Sequence, residues 1–225
     1  MFDFLSDYDN PTLLGAFWVT VQLTAFSAIG SLIWGTLLAA MRVSPVPLMR
    51  GFGTAYVNIV RNIPLTVIIV FTSLGLANIF GVTMGAPDDF KAKAFRLAVL
   101  GLVAYTAAFV CEAIRSGINT VPVGQAEAAR AIGLSFSQVL RLIVLPQAFR
   151  SVIGPLASVL IALTKNTTVA AAIGVAEAAL LMKEMIENEA QTLLIGGIFA
   201  FGFVVLTLPT GLILGWLSKR LAVKR

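Results

Sequence analysis

The sequence predicts an all-α membrane protein, five transmembrane helices with a cytoplasmic helical segment between the third and the fourth. Three observations carry this. The 225-residue chain is 58% hydrophobic and 12% charged, with mean hydropathy +0.93, and so few charges would not cover a water-facing surface. Apolar runs near the ~20 residues that cross a bilayer as a helix recur along it. Lys and Arg concentrate in alternate connections and at the C-terminal end, the bias that orients a membrane chain. The length fits a single domain, 1–225, with no separate catalytic domain.

Pro11 to Ala40 carries no charge and forms the first span, with Asn10 as cap and Pro11 in the first turn. Arg42 and Arg50, with Pro45 and Pro47 between them, make a short basic loop. The second span runs from about Tyr56 to Phe80, and Arg61 and Pro64 make its first turns irregular or interfacial. Gly81 to Asp89 is a loop with Gly, Pro and paired Asp. The third span, Phe95 to Ile118, has a short charge-free core, Leu97 to Cys111, which puts Glu112 and Arg115 near one membrane edge. The fourth begins near Val152, is interrupted at Lys165-Asn166-Thr167-Thr168 and continues from Val169 to Ala176. A polar loop, Glu177 to Glu189, leads to the fifth, Ala190 to Ser218, where Gly211 and Gly215 form a small-xxx-small pair.

Five spans put the termini on opposite sides. The basic C-terminus, Lys219, Arg220, Lys224 and Arg225, reads as inside. The connections holding Arg42 and Arg50, and Arg115, Arg130, Arg141 and Arg150, then share that side. The acidic N-terminus (Asp3, Asp7, Asp9), the Asp88/Asp89 loop and the Glu-rich 177–189 segment fall outside. That N-terminus and the long first apolar run speak against a cleavable signal peptide. The net charge of +5 is an orientation signal and does not point to nucleic acid. With no His and one Cys, Cys111, the chain lacks imidazole metal ligands, a histidine base and an internal disulfide. Neither G-x-S-x-G nor the phosphate-binding G-x-x-x-x-G-K-[ST] occurs.

One segment, 119–147, is too polar to be buried in lipid. Pro122 and Gly124 break the third span's continuation, and Gln125 to Ile132 are good helix formers. Glu127 is expected in the first turn, where the helix dipole favours it. Gly133 is placed to end that helix in a left-handed cap. Ser135 and Gln138 have capping-box spacing for a second helix, which Pro146 kinks or ends before the membrane. The product is a rigid helix-turn-helix that something docks against, or an amphipathic helix lying on the lipid surface.

Glu127-Ala128-Ala129, three residues, Gly133, nine residues, Ile143, one residue, Leu145-Pro146 resembles the signature loop of permease subunits of bacterial ABC importers. YVNIVRNIPL (56–65), EAIRSGINTVPVGQ (112–125), Pro146-Gln147-Ala148 and KNTTV (165–169) resemble the polar amino acid uptake permeases. MRVSPV (41–46), FRLAVLG (95–101), IGVAEA (173–178) and LTLP (206–209) are most similar to glutamate permeases of actinobacterial type. Asn62-Ile63 stands where Gly-Thr is usual in the group, and Asn166 where Asp is common, which disfavours a cationic substrate.

The resemblance implies a multi-pass bacterial cell-membrane subunit without an enzyme's active site. Gln125, Glu127, Ala128, Ala129, Arg130 and Gly133 would seat in an ATPase groove, with Ala128 and Ala129 as a small close-packing face. It further implies two ATPase subunits that hold the ATP and Mg, no cofactor on this chain, a second permease subunit (a paralogue by resemblance) and an extracytoplasmic amino-acid-binding protein. A competing class is a secondary transporter or channel that works without an ATPase.

A charge in hydrocarbon costs ~3 kcal/mol or more and therefore faces protein or water. Lys165, helped by Asn166, Thr167 and Thr168, either meets a substrate carboxylate or bonds carbonyls at a helix break. Arg61 either faces a cavity or, as expected here, snorkels to headgroups. Glu112 and Arg115, at i,i+3, make a structural pair at the membrane edge.

Overall fold

A computed structural model describes residues 12–82, 84 and 89–221. Asn10, Pro11, the acidic N-terminal residues, Asp88, Lys224 and Arg225 lie outside the described residues. All regular structure among the described residues is helical.

Helix α1 (Leu13–Val43) starts at Thr12, whose hydroxyl accepts the Gly15 N–H at 3.1 Å. Only Ser44 to Val46 separate it from α2 (Pro47–Asn62), so Arg50 is helical and not in a loop as the sequence suggested. The second span is bent. Pro64 lacks an N–H and pushes Ile63 into extended backbone (φ −94°, ψ 132°). The chain restarts as α3 (Leu65–Val70), which widens into a π-helical stretch, Phe71–Ile79, and α2 meets this pair at 106°. Among the described residues, four helices are long and apolar enough to cross a membrane, and the bent pair makes five crossings if counted as one.

Helix α4 (Phe90–Asn119) is the axis of the bundle. Lipid is as apolar as leucine, so its packing rests on close approach and not on expelled water. Glycines allow that approach. A Cβ at Gly35 would lie 2.8 Å from the Ala107 carbonyl oxygen, and one at Gly117 would lie 2.1 Å from the Val152 side chain. Leu38, Val57, Ala108 and Cys111 fill one layer, and Leu23, Ile69, Leu102 and Leu163 another.

After α5 (Val123–Ala131) and the short α6 (Phe136–Val139), the chain does not stop at Pro146. Five residues, Leu140–Val144, open into a π turn in which the Leu145 N–H reaches Leu140 O, and α7 (Leu145–Asn166) continues through the proline. Widening relieves the missing proline N–H, so the fourth span starts before Val152 and is preceded by helix. At Thr167 the α-helix tightens to a 3-10 helix ending at Ile173, then turns at Gly174 (φ 81°). The stretch expected as a polar loop is a helix, α8 (Ala178–Glu189); its Ala, Leu, Met, Lys and Glu are strong helix formers. Helix α9 (Thr192–Leu221) completes the chain. Of its glycine pair, only Gly211 nears another helix, at Ile161; Gly215 faces open space.

Candidate functional site

Two regions gather the residues that the sequence singles out. The first is the segment between α4 and α7. Helix α5 ends in a Schellman motif: Leu134 N–H donates to Ala129 O at 3.1 Å, Gly133 N–H to Arg130 O at 3.0 Å, and Gly133 has φ 92°. Ser135 and Gln138 form the expected capping box. Glu127 is fifth in the helix and not in its first turn, because α5 starts at Val123, so the dipole that falls off within one turn does little for it. Glu127, Ala128, Arg130 and Gly133 are exposed, as are the apolar Val123, Ile132 and Phe136. Ala129 is buried and packs inward, so of that pair only Ala128 faces outward.

The segment is fastened to the spans at two points. The Thr120 hydroxyl, at the end of α4, lies 2.9 Å from the Ser151 hydroxyl of α7. Gln147 of α7 donates to the Gln125 side-chain oxygen of α5 at 2.7 Å and to Ile143 O at 2.9 Å.

The second region lies within the bundle. Tyr105, Thr106 and Phe109 of α4 and Ser158, Val159, Ala162 and Asn166 of α7 line a cavity of about 410 Å³. The buried Thr106 hydroxyl finds no hydrogen-bond partner among the described residues. Lys165 is exposed beside Asn166, at the carbonyl end of α7 where a cation is favoured, and has no carboxylate partner among the described residues. Thr167 and Thr168 instead donate to their own helix, to Thr164 O at 2.7 Å and Lys165 O at 2.8 Å.

Glu112 is paired more richly than the i,i+3 reading had it. Arg115 Nη1 lies 3.7 Å from Glu112 Oε1, Arg42 donates to the same carboxylate, and Arg61 Nη1 lies 3.7 Å from Oε2. Arg61 thus has protein neighbours while its side chain stays exposed. Its guanidinium sits over Phe109, 5.6 Å from the ring centroid, and lines a smaller polar cavity of about 260 Å³ with Asn58, Asn62 and Phe109. The sequence reading missed Arg42, Asn58, Tyr105, Thr106 and Phe109. A signal was present for some: Asn58, Arg61 and Asn62, like Tyr105 and Phe109, have the spacing of one helix face.

The profile of binding-protein-dependent transport system inner membrane components matches residues 14–223. The chain belongs to that family. It is 58% identical over 220 residues, 96% of each chain, to the glutamate transport system permease protein GluC of Corynebacterium efficiens. It is 56% identical to the protein of the same name in Corynebacterium glutamicum, with the same coverage. Among solved structures it resembles an amino acid ABC transporter crystallised with histidines, with a TM-score of 0.84, 26% identity, and 97% of this chain and 98% of that one covered. The methionine ABC transporter MetNI shares the fold at a TM-score of 0.74 and 20% identity, over 94% of this chain and 96% of that one. The resemblance drawn from the signature loop is thus borne out: this is a multi-pass, all-helical permease of a cell membrane transport system.

Proposed function

We propose that this permease imports glutamate or a related polar amino acid by alternating access, driven by ATP that a partner hydrolyses. Its N-terminus lies outside and its C-terminus in the cytoplasm, as the charge bias favours. Two ATPase subunits hold the ATP and Mg, and this chain binds no cofactor. A second permease subunit, in our reading a paralogue, completes the path, and an extracytoplasmic binding protein delivers the amino acid.

The observation that carries this reading is that α7 holds both neighbours of the turn, Gln147 holding Gln125 of α5 and Ser151 meeting Thr120 at the end of α4. A helix so held passes displacement to both spans that line the larger cavity. Gln125, Glu127, Ala128, Arg130 and Gly133 form the docking surface, with Ala129 as its inner support. In the cavity, the Thr106 hydroxyl, unpartnered among the described residues, and the Asn166 amide offer polar contacts, and the exposed Lys165 next to Asn166 in the chain adds positive charge that attracts a carboxylate. Glutamate is favoured by the GluC relatives and by a neutral amide at Asn166.

In proteoliposomes holding the assembled transporter, Glu127→Lys should cut ATP-driven glutamate uptake at least about tenfold, the loss of one charge-assisted contact, while the subunit still inserts. Unchanged uptake refutes the docking role. Solute flux through the permease subunits without the ATPase would favour the secondary-transporter reading.

A further inference from the structure

The polar cavity beside Arg61 serves no evident packing purpose. Arg42, Arg61 and Arg115 converge on one carboxylate, Glu112, and leave two positive charges uncompensated (three minus one). Arg42 donates to Glu112 directly, whereas Arg61 approaches no closer than 3.7 Å, beyond hydrogen-bond length. The five N–H donors of Arg61 therefore engage no acceptor among the described residues. Stacking on Phe109 fixes the plane of the guanidinium without using those donors. Asn62 donates one amide hydrogen to Asn58 O at 2.6 Å, which leaves its side-chain oxygen and second N–H, and the whole Asn58 amide, to face the cavity.

A guanidinium fork with free donors, two amides and surplus positive charge is matched to a planar anion, a carboxylate above all. Phosphate, though tetrahedral, offers the same charge and pair of acceptor oxygens, and a cation is repelled. Phe109 lines this cavity and the larger one, so a single ring, 4.9 Å from that of Tyr105, stands between them.

We infer that Arg61, with Asn58 and Asn62, is a second carboxylate station on the translocation route, divided from the Asn166 cavity by Phe109. The inference rests on the transport reading above. Arg61 is held loosely enough by Glu112 to turn toward a substrate carboxylate passing Phe109. Arg42 and Arg115 keep Glu112 occupied while it does so. The station takes the side-chain carboxylate; glutamine keeps its α-carboxylate but carries an amide in that place, so it gains less there and the station sorts acids from amides.

Arginine modification by phenylglyoxal tests this directly. The assembled transporter in nanodiscs of neutral lipid is treated with the reagent, and modification at Arg61 is read by peptide mass spectrometry. Glutamate and inorganic phosphate should slow modification of Arg61 severalfold and glutamine should not, with exposed Arg150 unaffected. Absence of protection, or equal protection by glutamine, overturns the proposal. So does protection by phosphatidylglycerol nanodiscs to which glutamate adds nothing, since a lipid headgroup would then own the site. In transport, Arg61→Gln should lower kcat/KM for glutamate about tenfold more than for glutamine, as expected for one lost charge-assisted pair, with Arg61→Lys restoring part. Equal losses for both substrates overturn it. If the unaltered transporter carries no glutamate, the import reading fails, and protection of Arg61 by phosphate alone supports or overturns the anion station.

Discussion

Glu112 ties three helices together, because its carboxylate meets Arg42 of α1, Arg61 of α2 and Arg115 of α4. Removing a charge from a buried cluster is destabilising chiefly through the charges left behind. Glu112 is one-third exposed, so water offsets part of that effect. Glu112→Gln should cost about 2 kcal/mol, seen as a lower unfolding temperature in detergent. A double change, Arg42→Met with Glu112→Gln, should recover part of it, because one stranded cation is gone. At this scale the sequence was only half legible. The Arg115 pairing is local, three residues away, and could be read. Arg42 stands 70 residues distant on another helix, and no spacing rule reaches that far.

Helices α5 and α8 show where element-level reading works and where it slips. For α5, Gly133 and the Ser135–Gln138 pair act within a few residues, so the C-cap and the next helix's start were visible in advance. Glu127's place was missed because the helix begins earlier, at Val123. For α8, a run of acids suggested a loop, although its residues are strong helix formers. Its N-cap explains why this helix is anchored. Glu177 is fully buried, accepts the Leu180 N–H at 3.1 Å and faces the Thr20 hydroxyl of α1 at 3.4 Å, and the Ala178 N–H in turn donates to Thr20. Glu177 lies in the connection outside the membrane-crossing segments, and burial pushes its carboxyl up to about 7 despite the backbone N–H groups that favour its charge. A raised carboxyl pKa favours the protonated folded state. The stabilising contribution is therefore complete below the ordinary value of 4.5 and fades as pH rises through about 7. Thermal unfolding of the wild type should shift to lower temperature across that window, while Glu177→Gln, which keeps both an acceptor and a donor, should show a flatter profile. Equal pH dependence of the two would remove Glu177 as the cause.

For the whole molecule, composition alone settled the class, because 12% charged residues cannot clothe a soluble surface. Four of the five expected crossings appear as single long helices and the fifth only as a bent pair; the bend at Pro64 and the continuous passage through Pro146 depend on whether a proline's missing bond is relieved by breaking or by widening. Helix α1 packs closely along α4. Gly35→Ala places a methyl 2.8 Å from the Ala107 carbonyl oxygen, a backbone atom that cannot swing away. Overpacking of this kind should cost about 1–3 kcal/mol, measurable as lost folded yield and a lower unfolding temperature. The same change at Gly215, which faces open space, should be nearly silent.

The fastening of α5 bears on timing. Gln147 grips Gln125 and Ser151 meets Thr120, four residues apart on one helix. In the proposed docking role, a push on α5 would be felt at α7 through the Gln125 contact and at α4 through the chain that joins them. Rotation of α5 about its own axis would have to rupture the glutamine contact first. If the docking role holds, the connection would act as a crank whose stroke is set by how far the two long helices can part.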